Sequence, residues 1–264
     1  MPDAKIFDID CTLAYQVNGP TDFLFQIHAL DGMDQRVIDE SLVITPSLPQ
    51  HTYADPSVGH RFLRLHADNG PVELHYRASV ERRAVAVDPQ AAEMPIAELP
   101  DDLLHNLNPT RYCESDLLGR AAQMQFGDLP PGLARVQAIS DWIFDNVAYE
   151  LGSTQATTTS RDVFVQRAGV CRDFAHLGVT FCRALNIPAR LVVGYARFGE
   201  PPPDFHAVFE AYLGGRWVMF DPTRMSPVDE LIRIATGRDA KDVAFATIFG
   251  PATMTSMNPL ITAR

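Results

Sequence analysis

The chain has 264 residues, of which 46 % are hydrophobic and 21 % are charged, and its formal net charge is −11. This composition is ordinary for a folded soluble protein, and the length accommodates one large domain or two of usual size. The acidic balance excludes the basic surface that is typical of nucleic-acid binders. The sequence also lacks the roughly 18 consecutive apolar residues that a membrane-spanning helix needs, so we expect neither nucleic acid nor membrane as a partner.

The N-terminus and the cysteines predict the compartment. The first ten residues, MPDAKIFDID, are acidic and alternate in hydrophobicity, which is unlike a signal peptide. The four cysteines, Cys11, Cys113, Cys171 and Cys182, are too few and too scattered for a disulfide framework. We therefore expect a cytoplasmic location.

The first hundred residues read as β-strands. Between residues 4 and 87, apolar and polar residues alternate with the period of two that indicates half-buried strands. We predict an antiparallel β-sandwich of six or seven strands as the domain at 1–100. A segment rich in Pro, Ala and Glu, residues 88–108, is the expected linker to a second domain at 101–264.

Helices follow the linker. The spacing of apolar residues predicts helices over Ser115 to Phe126, Leu133 to Tyr149 and Asp162 to Arg167. Another helix begins at Cys171 and ends before Pro188, since proline forbids continuation. A strand is expected from Ala189 to Arg197. The overall fold class is α+β.

The sequence after residue 223 gives weaker indications of secondary structure. A helical turn is expected over Val228 to Ala235, after the segment 204–223 that is discussed below. The final stretch, TIFGPATMTSMNPLITAR, shows no clear period. We predict it to be an irregular apolar tail that packs across the core.

Cys171 is the strongest functional signal. It follows a Gly-Val pair at the predicted start of a helix, where unpaired backbone N–H groups and the helix dipole favour a thiolate. The thiolate is the nucleophilic form of sulfur. If the GVC sequence is considered alone, the alternative is that Cys171 is a structural cysteine of the core and has no catalytic role.

A base and an orienting acid follow in the segment DFHAVFEAYLGGRWVMFDPT. Gly214-Gly215 is a two-residue hairpin signal, and this turn places Val208 opposite Asp221. His206 lies two residues before Val208 and therefore on the same face. His206 and Asp221 become diagonal neighbours, with Cβ atoms roughly 6–8 Å apart. The spacing predicts an imidazole–carboxylate pair, but it does not bring Cys171 to His206.

The segments GVCRDFAHL, ALNIPARLVVGYA and HAVFEAYLGGRWVMFDPT together resemble the transglutaminase-like superfamily, and in particular its bacterial cysteine protease branch. The resemblance is strong over about residues 130–225 and weaker over 1–100. It implies a papain-like, transglutaminase-like core, with helices packed on an antiparallel sheet. It also implies the roles of nucleophile for Cys171, base for His206 and orienter for Asp221. The Cys171 N–H is the expected first oxyanion donor, and Gln155 is a guess for the second.

The expected activity is thiol-dependent acyl transfer on a peptide or side-chain amide through the Cys171–His206–Asp221 triad. Hydrolysis by a cysteine peptidase or amidase is the leading hypothesis, because water as the acyl acceptor needs no second binding site. Protein-glutamine transamidation and a non-catalytic binding module are the alternatives. The partner is a peptide or protein substrate, and the oligomeric state is left open.

Several other polar residues could belong to a site. His176 competes as the base, but it lies about 140° around the helix from Cys171, so we expect a packing or hydrogen-bonding role. We expect Asp173 to connect the helix to a neighbouring segment. For Tyr195 two positions remain open, in the wall of the cleft or in the core. Cys182 reads as a buried apolar residue. These ligand types lack metal-site spacing, so neither a metal nor a cofactor is expected.

Overall fold

The computed structural model describes residues 4–32, 34–56, 59–198 and 203–264. It has four helices, α1 to α4, within these residues. They are Ser115–Phe126, Leu133–Asn146, Ser160–Gln166 and Cys171–Ala184. None of the helices in the described ranges is long and apolar enough to cross a membrane.

Fourteen strands, β1 to β14, complete the described part of the fold. They are Ala4–Val17, Thr21–Phe25, Gln35–Thr45, Gln50–Ala54, Arg61–Ala67, Gly70–Arg83, Ala148–Tyr149, Ala168–Gly169, Ala189–Tyr195, Phe205–Leu213, Arg216–Phe220, Ile232–Gly237, Ala246–Phe249 and Ala252–Ala263.

The N-terminal half forms two antiparallel sheets that pack face to face. Their strand orders are β14-β1-β6-β3 and β13-β2-β5-β4. Alternate residues of β1, such as Leu13 and Tyr15, are buried as the sequence period predicts. The Tyr15 ring contacts Phe23 and Phe25 of the opposite sheet, with centroids 5.3 and 5.7 Å apart. The predicted antiparallel sandwich is therefore confirmed.

The C-terminal segment belongs to these same sheets, so the prediction of an irregular tail is wrong. β13 pairs with β2, β14 pairs with β1 along almost its whole length, and Arg264 binds the carboxylate of Asp8. β14 is an edge strand with few buried side chains, and so its sequence carries little alternation. Two strands that follow residue 100 in the chain thus complete the N-terminal sheets.

The second half packs helices on a four-stranded antiparallel sheet with the order β11-β10-β9-β12. Helix α4 lies against β10, and α1, α2 and α3 surround α4. The approach of α4 is close, because a Cβ at Gly178 would lie 2.6 Å from the ring of Phe209. This is the α+β core that the sequence predicts.

Two local predictions in this half are wrong. Val228–Glu230 is a short 3-10 turn, and Ile232–Gly237 is strand β12 and not helix. The first four residues of β12 are all buried, so the sequence shows neither a helical nor a strand period. Helix α2 ends at Asn146, and Tyr149 lies in β7, paired in parallel with β8. The apolar spacing extends past the true end of the helix.

Candidate active site

Cys171 is the first residue of α4 and is partly buried. The chain reaches it from β8 through extended Val170. Asp173 fixes this turn, because its Oδ2 accepts the Val170 N–H at 3.0 Å and the Thr154 hydroxyl at 2.7 Å. The thiol therefore stands at a capped helix N-terminus, where the dipole favours negative charge.

His206 and Asp221 come together through the β10–β11 hairpin. Gly214 and Gly215 have φ values of 57° and 81°, which suits the turn that twisted antiparallel strands prefer. Phe209 pairs with Phe220, the register that the sequence predicts. His206 Nε2 lies 2.9 Å from Asp221 Oδ2, and both side chains are buried.

Asp221 is held by three further hydrogen bonds. Its Oδ1 accepts from the Thr223 backbone N–H at 2.9 Å and from the Thr223 hydroxyl at 2.6 Å, and Oδ2 accepts from the Ser226 N–H at 3.2 Å. Burial raises the pKa of this carboxyl, but the hydrogen bonds from His206 and Thr223 outweigh that effect and lower it. Asp221 is therefore an ionised, fixed acceptor for His206.

The other ring nitrogen of His206, Nδ1, has no hydrogen-bond partner apart from its approach to Cys171. Burial lowers the pKa of His206, but the Asp221 hydrogen bond and the sulfur of Cys171 raise it, and the net pKa is about 10. The imidazole thus lies between a carboxylate and a thiol, and its protonated form is favoured. The structure brings all three predicted site residues into one chain of contacts.

Tyr149 is a site residue that the sequence reasoning missed. Its hydroxyl lies beside both the backbone N–H and the thiol of Cys171. Burial and the negative charge of the sulfur raise the pKa of Tyr149, so the hydroxyl keeps its proton and can donate it in a hydrogen bond. The sequence did not indicate that Tyr149 lies near Cys171, because the apolar spacing placed Tyr149 at the end of a helix.

Gln155, the residue that the sequence offers as second oxyanion donor, lies in the loop beside the start of α4. It lies in an exposed loop, where its backbone carbonyl accepts from Arg172 Nη2 at 3.0 Å and its backbone N–H donates to Thr158. None of its hydrogen bonds involves Cys171. The loop is instead fastened to the start of α4 by Arg172 and Asp173, as expected for Asp173.

His176 and Tyr195 lie away from the thiol. His176 is fully buried, stacks on Tyr112 at 5.3 Å and accepts the Ala240 N–H through Nε2. Burial lowers its pKa to about 3, so it stays neutral and structural. Tyr195 donates a 2.6 Å hydrogen bond to the Ile27 carbonyl. It therefore joins the core to the N-terminal sheets and does not line a cleft.

The other three cysteines are buried, in contrast to Cys171. Burial raises the pKa of Cys11 and of Cys113 to about 12, and it raises that of Cys182 further. Over the described residues, no group of three His, Cys, Asp or Glu side chains is placed to hold a metal ion. Only one cysteine thus combines partial exposure with an imidazole.

A cysteine that opens a helix and faces a His–Asp pair on a sheet, behind an antiparallel β-domain, defines a transglutaminase-like protein. Residues 120–222 match the family model of the Transglutaminase-like superfamily. Residues 5–102 match the model described as Bacterial transglutaminase, N-terminal domain. The chain belongs to the transglutaminase-like superfamily.

A solved structure from Cytophaga hutchinsonii, named a putative cysteine protease, is 44 % identical to this chain with a TM-score of 0.95. The match covers 99 % of this chain and 91 % of that one. An uncharacterized Mycobacterium leprae protein is 31 % identical over 52 % of each chain. An uncharacterized Mycobacterium tuberculosis protein is 30 % identical over 60 % of this chain and 55 % of its own length. The chain thus spans about half the length of these curated relatives.

Proposed function

We propose that this protein is a cysteine-dependent acyl-transfer enzyme that hydrolyses peptide or side-chain amides. The observation that carries the proposal is the chain of contacts from Asp221 through His206 to the thiol of Cys171 at a helix N-terminus. A nucleophile, a base and a group that orients the base are the parts that covalent acyl transfer requires.

The reaction has two steps. The Cys171 thiolate attacks the amide carbonyl, forming a C–S bond, and the C–N bond breaks as the His206 imidazolium gives its Nδ1 proton to the leaving amine. Water then attacks the thioester and loses a proton to His206, and the C–S bond breaks to release the acid. Asp221 holds the imidazole in one orientation and tautomer throughout.

The tetrahedral oxyanion needs two donors. The backbone N–H of Cys171 is the first, and the proposed second donor is the Tyr149 hydroxyl, which lies beside that N–H and keeps its proton. Donors fixed in this way before the reaction stabilise charge that develops only in the transition state. Tyr149 thereby replaces Gln155 in the proposed mechanism.

Trapping of the acyl-enzyme tests the proposed function. p-Nitrophenyl acetate should release p-nitrophenol in a burst and acetylate Cys171, which peptide mapping by mass spectrometry identifies. The buried Cys11, Cys113 and Cys182 are internal controls that should remain unmodified. Cys171→Ala should fold normally by circular dichroism but lose turnover by about 10⁴-fold or more. Turnover in this variant, or first acetylation of another cysteine, would contradict the proposal.

A further inference from the structure

A chain of ion pairs lies between the β11-β10-β9-β12 sheet and the N-terminal sheets. Glu210 of β10 accepts from Arg190 Nε at 2.8 Å and from Arg233 Nη2 at 2.6 Å. Arg233 also pairs with Asp34, and Asp34 pairs in turn with Arg82 of β6. The chain of pairs therefore begins and ends with an arginine, and its three arginines share two carboxylates. One positive charge is in excess.

The two end arginines differ in their surroundings. The guanidinium of Arg190 lies over the ring of Trp217, 4.1 Å from its centroid, so an aromatic face covers its charge. The side chain of Arg82 is only 4 % exposed, and its Nε has no hydrogen-bond partner in the part of the chain that the structure describes. A buried charged donor without an acceptor is costly. The excess charge is therefore least satisfied at Arg82.

Arg82 lines a cavity of about 400 Å³, which is a usual volume for a small-molecule site. Arg216 and Asp229 also line this cavity, and their opposite charges balance each other. Much of the wall is apolar, and Val85 and Val87 in it are 43 % and 41 % exposed. The apolar side chains of the wall include Val85, Val87, Trp217, Val218, Met219 and Val228. The cavity thus combines an apolar wall with one unbalanced positive charge.

We propose that this cavity binds a carboxylate that carries an apolar body, either a small free acid or the C-terminus of a peptide. A carboxylate has one negative charge, which matches the single excess positive charge, whereas a phosphate monoester has about 1.5 to 2. The carboxylate accepts the Nε–H of Arg82, and its apolar body lies against the wall. The site is separate from the proposed chemistry, because Cys171, His206 and Asp221 do not line this cavity.

Isothermal titration calorimetry of the full chain tests the ligand class. Hexanoate represents the free acid and acetyl-alanyl-leucine the peptide C-terminus, and the one that binds more tightly identifies the source. Hexanamide lacks the charge, so its Kd should be at least about tenfold higher than that of hexanoate. Acetate lacks the apolar body, so its Kd should also be at least about tenfold higher. Equal binding of hexanoate and hexanamide, tighter binding of inorganic phosphate, or no binding of either acid at millimolar concentration would overturn the proposal.

Substitutions locate the binding. Val87→Glu places a negative charge in the wall without touching the ion pairs, and it should abolish binding of the acid. Leu117→Glu makes the same kind of change at an exposed position of α1 and should leave binding intact. Arg82→Lys keeps the charge but removes the Nε donor, and it should weaken binding by about tenfold. Asp229→Asn removes a negative charge from the lining and should tighten binding by up to about fivefold.

Circular dichroism checks that each variant folds. If Arg82→Lys does not fold, the matched pair Val87→Glu and Leu117→Glu still decides the location of the site. Binding that persists in Val87→Glu, or that falls equally in Leu117→Glu, would overturn the proposal. Cys171→Ala should bind the acid as the unaltered protein does, because the thiol lies outside this cavity. Loss of binding in Cys171→Ala would place the acid in the catalytic site and overturn the separate site.

Discussion

Strand β10 carries two buried ionic clusters whose construction differs. The first is His206–Asp221, and the second is centred four residues along the strand on Glu210. In the first cluster, the Nδ1 atom of His206 is left for the partly exposed thiol of Cys171. In the second, both carboxylate oxygens of Glu210 are engaged by arginines. One cluster ends at a thiol, whereas in the other the central carboxylate is occupied on both oxygens by arginines.

The Glu210 cluster joins the two halves of the chain. Glu210 is fully buried and accepts from Arg190 Nε at 2.8 Å and from Arg233 Nη2 at 2.6 Å. Arg233 also pairs with Asp34, which precedes β3 of the N-terminal sheets and pairs in turn with Arg82. The charges alternate across the interface between the β11-β10-β9-β12 sheet and the N-terminal sheets.

The comparison shows that the partners of a buried charged group decide whether it can take part in a reaction or only stabilises the fold. Buried ions cost several kcal/mol each in desolvation, which partners must offset. Where arginines occupy both oxygens of the central carboxylate, that carboxylate can only hold parts together. Where one ring nitrogen faces a thiol, the same kind of cluster can move a proton. Substitutions in each cluster should therefore have effects of different kinds.

Asp221→Asn should have the largest effect on catalysis. The amide keeps the shape of the carboxylate but does not stabilise an imidazolium and favours the wrong tautomer. We expect the rate of acylation of Cys171 to fall by about 10³–10⁴-fold with the fold retained, measured by the p-nitrophenol burst and circular dichroism. Asp141→Asn, which alters an exposed pair with Arg224, is the control. A near-normal rate in Asp221→Asn would remove Asp221 from the mechanism.

Glu210→Gln should act on stability. Loss of the charge leaves Arg190 without a carboxylate partner among the residues that the structure describes. Breaking a buried pair in this way costs about 3–5 kcal/mol. We expect that decrease in the free energy of unfolding by urea titration. Glu81→Gln, at an exposed pair with Arg36, should cost about 0–1 kcal/mol. Equal effects of the two substitutions would show that the Glu210 cluster does not join the halves.

The site was more predictable from the sequence than the boundaries of the fold. Register in a hairpin follows from the turn, so Gly214-Gly215 alone placed His206 beside Asp221. The Gly-Val pair before Cys171 and the apolar spacing after it indicated a helix start at Cys171. These are local rules, and they hold because the residues they relate are close in the chain.

The sequence predictions that were wrong or missing concern residues whose structure depends on contacts with distant parts of the chain. β14 is a strand because β1 offers it an edge some 240 residues earlier in the chain, and nothing within β14 itself requires this. Tyr149 reaches Cys171 because β7 pairs with β8, a two-residue contact that leaves no period in the sequence.

Tyr149→Phe should have the smallest effect of these three substitutions, and it tests which group completes the oxyanion site next to Cys171. It removes only the hydroxyl, since the backbone pairing of β7 and the ring contact with Phe174 at 5.9 Å do not involve it. Loss of one oxyanion donor lowers kcat by about 10²-fold, with KM and the free energy of unfolding little changed. Tyr112→Phe removes a hydroxyl that donates to the Ala156 carbonyl on the adjacent loop. As the matched control, it should keep kcat within about threefold. If Tyr149→Phe keeps its rate while Gln155→Ala loses it, the second donor lies in the loop that the sequence suggested, and the open end of the His206 cluster is completed from there.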